Sequence, residues 1–69
     1  MATYKFGKWE SWDGYEYFAI HKKTLFGWKE QKCWVLSRFE AHTKEFEEQQ
    51  RIKMMESVER LINTGHTVI

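Results

Sequence analysis

An α+β domain, with a three-stranded antiparallel sheet and one C-terminal helix packed on one face (β-β-β-α), is predicted by three features of the sequence. Eleven of the twelve aromatic residues fall between Tyr4 and Phe39, where turn formers divide them into short runs. The apolar spacing then changes, after Glu40, from strand-like to helical. Proline, low-complexity tracts and repeats are all missing, so the 69 residues read as one domain.

The strands are expected within residues 1–39, at Thr3 to Trp9, Tyr15 to Lys23 and Lys32 to Phe39, each rich in aromatic or β-branched residues. Ser11, Asp13 and Gly14 supply the first turn. Gly27, between Phe26 and Trp28, marks the second connection or a bulge near it. The helix is expected over residues 43–64. Met54, Met55, Val58, Leu61 and Ile62 lie on one helical stripe, while Glu56, Glu59 and Arg60 turn away. Thr43 can cap its start, with Glu45, Glu47 and Glu48 near the positive end of the dipole, and Gly65 can close its end in a left-handed conformation. Phe46 and Ile52 fall off the stripe. Residues 66–69 are left as a tail or a short strand.

Composition excludes several classes. Hydrophobic residues at 42% and charged residues at 30% describe a folding chain and not a disordered tail. A net charge of +1 supplies no strong overall field, although residues 1–39 carry a local excess of basic residues. The lone Cys33 forbids an internal disulfide and suits a reducing cytoplasm. No apolar run is long enough to span a membrane, and the N-terminal residues are too polar for a signal peptide, so no membrane partner is expected.

A geometric mismatch points to a binding surface. Fully burying twelve aromatic side chains would remove roughly 1,800 to 3,000 Å² from water, more than one helix on one sheet face can shelter. Alternation sends Phe18 and Ile20 to one side of the second strand and Tyr15, Tyr17, Ala19 and His21 to the other. In the third strand, Trp34 and Leu36 oppose Cys33, Val35 and Phe39. Both sides are apolar or aromatic. Trp9, Trp12, Tyr15 and Trp28, near strand ends and turns, are therefore the expected exposed anchors, with Lys22, Lys23 and Lys29 as their polar rim. The bland alternative is that these rings lie flat as ordinary amphipathic cover.

Catalytic chemistry finds no motif. His21, His42, His66 and Cys33 lack metal-ligand spacing, so no metal or cofactor is expected. Cys33 is expected to be a buried small hydrophobe, and Glu45, Glu47 and Glu48 a solvated helix start. An enzyme is not expected. Lysines interleaved with Trp9, Trp28 and Trp34 make single-stranded nucleic-acid binding the alternative to protein docking, although strand lysines also keep sheet edges unpaired. A homodimer burying the second sheet face is a third option.

The series Tyr17-Phe18-Ala19-Ile20-His21-Lys22-Lys23, Leu25-Phe26-Gly27-Trp28, Trp34-Val35-Leu36 and Arg60-Leu61-Ile62-Asn63-Thr64-Gly65 resembles small uncharacterised proteins of tailed bacteriophages. The resemblance covers Tyr15 to Gly65 and carries no assigned chemistry. It implies a strand hairpin with a basic, aromatic turn, then a third strand and a helix. It also implies a phage-encoded protein in the bacterial host cytoplasm, acting as a non-enzymatic inhibitor or modulator of a host protein.

Overall fold

The computed structural model describes residues 2–38 and 42–69. They form strands β1 (Thr3–Glu10), β2 (Tyr15–Thr24) and β3 (Gly27–Arg38), helix α1 (Lys44–Asn63) and strand β4 (Thr67–Val68). The α+β architecture is as expected, with one strand more. The sheet runs β3-β2-β1-β4, and the first three strands pair antiparallel. Residues 66–69 are no loose tail: Thr67 and Val68 pair parallel to Thr3 and Tyr4 and cover the edge of β1. A hydrogen bond from the Ala2 amide to His66 Nδ1, 3.1 Å, ties the two ends together.

β3 begins at Gly27 instead of Lys32. Residues 29–32 read Lys-Glu-Gln-Lys, without the apolar alternation that marks a strand, because this part of β3 is exposed on both sides. Phe39, assigned to the third strand by sequence, lies outside the described residues. β3 is also a sheet edge, and its register against β2 slips twice, between Glu16 and Tyr17 and between Ile20 and His21. Such bulges, with Lys29 and Lys32 beside them, discourage a further strand from pairing there.

α1 starts where Thr43 predicts: its Oγ1 accepts the Phe46 amide at 3.1 Å. It ends in a Schellman arrangement, with the Gly65 amide donating to the Ile62 carbonyl and the His66 amide to that of Leu61, both at 3.0 Å. Gly65 has the required positive φ of 90°. One face of α1 lies on β2 and β3, closing a core of Phe18, Ile20, Leu36, Met54 and Val58, with Tyr4, Phe6, Trp34, Met55, Leu61 and Val68 packed around it. Ser57 is buried on this same face, a polar residue among apolar ones. Ile62, placed on the buried stripe by sequence, is exposed instead: the stripe turns off the sheet in the last helical turn. No described helix is long and apolar enough to cross a membrane.

The β2–β3 hairpin closes with only Leu25 and Phe26 beyond the Thr24–Gly27 pair. Thr24 Oγ1 accepts the Phe26 amide and donates to the Gly27 carbonyl, and Gly27 sits at φ 118°. A β-carbon there would touch nothing, so Gly27→Ala is charged only for the backbone conformation. It should cost about 1–2 kcal/mol, read as a lowered urea midpoint at unchanged slope. An unshifted midpoint would contradict this role for Gly27.

Candidate partner-binding surface

No described helix covers one side of the sheet. Strand register places Lys5, Gly7 and Trp9 of β1, Tyr15, Tyr17, Ala19, His21 and Lys23 of β2, and Trp28, Glu30, Cys33 and Val35 of β3 on it. Its centre is built around the missing side chain of Gly7. The Trp9 ring folds back across this glycine, two of its carbons 3.5 Å from where a β-carbon would stand. The ring meets the His21 imidazole edge-on, centroids 4.5 Å apart. Ala19, the register partner of Gly7, is fully buried on a side that no helix covers. Neighbouring side chains therefore shelter it.

Lys5 joins this cluster to the hairpin. Its ammonium lies 4.5 Å from the Trp28 ring centroid and 5.8 Å from that of Trp9. Such contacts hold a cation over two rings without neutralising it. Past the last β1 pair, Tyr4–Lys22, the hairpin continues as a two-stranded ribbon through Lys23–Trp28 to Thr24–Gly27. At its tip Leu25 and Phe26 are 98% and 100% exposed.

The collar beneath the tip is basic on both sides. Lys23 stands on the open side; Lys22 and Lys29 face each other directly across the two strands on the helix side. Like charges so paired repel. Among the described residues none of Lys5, Lys22, Lys23 and Lys29 forms an ion pair, so no carboxylate relieves that repulsion.

The seven residues singled out by sequence do not share one patch. Trp28, Lys22, Lys23 and Lys29 gather at the hairpin, and Trp9 reaches them through Lys5. Trp12, 99% exposed, and Tyr15 sit at the Ser11–Gly14 turn, the opposite end of the sheet. A ten-residue strand separates the two ends by roughly 30 Å. Trp9 and Tyr15, expected to be exposed, are half-buried; Trp9 lies against Gly7 and the His21 ring. Leu25 and Phe26, exposed at the tip, were not among the residues singled out. The signal was available: two large apolar residues immediately before a glycine, inside a lysine-flanked turn. Cys33, expected to be buried, is exposed on the open side. Desolvation on the sheet surface raises its thiol pKa, with the negative charge of Glu30 adding to the effect.

A second cluster lies under the start of α1. Glu47 Oε1 is 3.0 Å from Lys8 Nζ and 2.6 Å from His42 Nε2, while Glu16 lies 3.7 Å from Lys8 and 3.9 Å from His42 Nδ1. Glu16, His42 and Glu47 offer three possible metal ligands within 4.8 Å of one another. The Lys8 ammonium, however, already stands against both carboxylates, and the two imidazole nitrogens face different ones. That geometry is an ion network pinning β1 and β2 to the helix. The hydrogen bond with His42, then that from Lys8, holds the Glu47 carboxyl below its ordinary range. A lowered folded-state pKa stabilises the fold above the ordinary carboxyl range and is lost as pH falls through the folded value. Glu47→Gln should therefore lower the Tm at about pH 7, by a gap that narrows as pH falls below the ordinary carboxyl range. A gap of constant size across that window would contradict the network.

No family model matches the chain, and no curated protein or solved structure matches it either.

Proposed function

We propose that the chain is a non-enzymatic protein-binding module that docks through the tip of the β2–β3 hairpin and modulates the protein it holds. The observation that carries this reading is the complete exposure of Leu25 and Phe26 on a strand-supported tip, with Trp28 beside them. Two adjacent large apolar side chains in water gain nothing for the fold and are worth about 1.5–3 kcal/mol each once buried by a partner. The unrelieved Lys22–Lys29 pair, Lys23 and the Lys5 ammonium held over two rings support a partner with an apolar pocket ringed by carboxylates. The phage resemblance makes a bacterial host protein the expected partner, and obstruction of its working surface the expected effect.

The test is affinity capture from a bacterial lysate with the parent chain and with Leu25→Asp/Phe26→Asp in parallel. A protein held by the parent and lost with the variant is then purified and titrated. Direct binding at one-to-one stoichiometry supports the reading. Equal capture by both chains overturns it.

Single-stranded nucleic acid is the second reading, favoured by the placement of Lys5 between the Trp9 and Trp28 rings. Bases would stack on the rings while ammonium groups meet phosphates. Oligonucleotide affinity falling steeply with salt, and surviving the tip substitutions, would favour this reading over protein docking.

A further inference from the structure

Between the C-terminal half of α1 and the sheet lies a cavity of about 360 Å³, on the side opposite the open face. Two local departures from regular structure create it. Ser57 occupies a buried position on the core face of α1 where an apolar residue would fill the space. At the β3 bulge, Ile20 pairs with Lys32 and His21 with Glu30, which leaves Gln31 without a partner and turns it into the cavity wall. Bulges characteristically re-aim a side chain in this way.

The lining is chemically one-sided. Ile20 and Leu61 form an apolar floor; among the described residues Lys32 and Arg60 are its only ionisable groups besides the Tyr4 phenol, and no described carboxylate lines it. Neither cation has an ion pair among the described residues, and the Arg60 guanidinium donates a long hydrogen bond of 3.5 Å to Ser57 Oγ. Arg60 also complements the negative end of the helix dipole, but Lys32 has no such role. The side chains of Gln31 and Tyr4 make no hydrogen bond with a described residue.

We propose that this cavity binds a small organic anion, its carboxylate or phosphate group held by Lys32 and Arg60 and its flat apolar body lying on Ile20 and Leu61. The volume falls at the lower end of the range for small-ligand sites, about 300–1,000 Å³. The guanidinium fork of Arg60 suits either anionic group, and the hydroxyl of Ser57 and amide of Gln31 supply neutral hydrogen bonds around it.

The test follows backbone amide shifts of the full chain titrated with naphthoate, naphthyl phosphate and the uncharged naphthalenemethanol. One or both anions should saturate with a Kd no weaker than about 1 mM, moving Gln31, Ser57, Leu61 and Thr64. The alcohol should bind about tenfold more weakly or worse. Which anion binds more tightly distinguishes the carboxylate from the phosphate source. Lys32→Gln/Arg60→Gln, at two exposed positions, should bring the anions down to the alcohol's affinity. Ser57→Val should fill the cavity and weaken all three ligands. Equal binding of alcohol and anions, undiminished binding by the double variant, or no saturable shift at these amides would overturn the proposal. None of these results depends on the hairpin tip, so the docking reading stands or falls separately.

Discussion

Leu25→Asp combined with Phe26→Asp should weaken partner binding at least about 100-fold while leaving the thermal midpoint almost unchanged. The asymmetry follows from exposure. Both side chains are in water in the free protein, so the fold loses no burial when they are replaced, and exposed substitutions of this kind stay within about 0.5 kcal/mol. The proposed complex would lose two buried apolar groups and gain two carboxylates facing a pocket whose rim is negative in that reading. Repulsion then adds to lost burial, which is why Asp is a sharper probe than Ala. Charge reversal at Lys23 and Lys29 should act differently, slowing association and flattening its salt dependence with a smaller effect on dissociation.

Phe18→Ala should unfold most of the population at 25 °C. Phe18 is 6% exposed and sits where β2, β3 and the helix meet, paired with Trp34 across the sheet and packed with Ile20, Leu36, Met54 and Val58. Truncating a buried phenylalanine costs about 3–5 kcal/mol through lost transfer energy and the cavity left behind. A core this small supplies little more: single-core domains below about 70 residues rarely exceed 3–5 kcal/mol. Loss of the cooperative chemical-denaturation transition in this variant is the expected result. A variant retaining a full transition with a midpoint near the parent's would mean that the core lies elsewhere.

Alternation was enough to sort β2 correctly: Phe18 and Ile20 face the helix while Tyr17, Ala19 and His21 face away, as their positions imply. The helix was legible at both ends, because Thr43 and Gly65 carry cap chemistry that acts within a few residues. Non-local features were less accessible. β4 is two residues long and exists only because the chain returns beside β1, a pairing between residues more than sixty positions apart that no local propensity announces. The polar first part of β3 is a strand by pairing alone.

The surface was half legible. An excess of rings over shelter is a matter of area, and rings are left outside: Trp12, Phe26, Trp28 and Phe46 are all exposed. Which rings stay outside depends on Gly7 letting Trp9 lie down, a relation between two residues of β1, and on which sheet end each turn occupies, which no single segment records. Leu25 and Phe26 stay outside because of where their turn stands in the sheet. Here the turn stands two rungs beyond the last β1 pair and reaches no core.

Paramagnetic relaxation from a soluble probe, measured on the Leu25 methyls and the Phe26 ring with and without the captured partner, reads the docking site directly. Both groups should relax strongly in the free protein, in contrast to buried Val58, and become protected in the complex while Ile52 and Ile62 on the outer helix stay accessible. Protection of Ile52 and Ile62 with an unprotected tip would place the interface on the helix and contradict the assignment of docking to the hairpin.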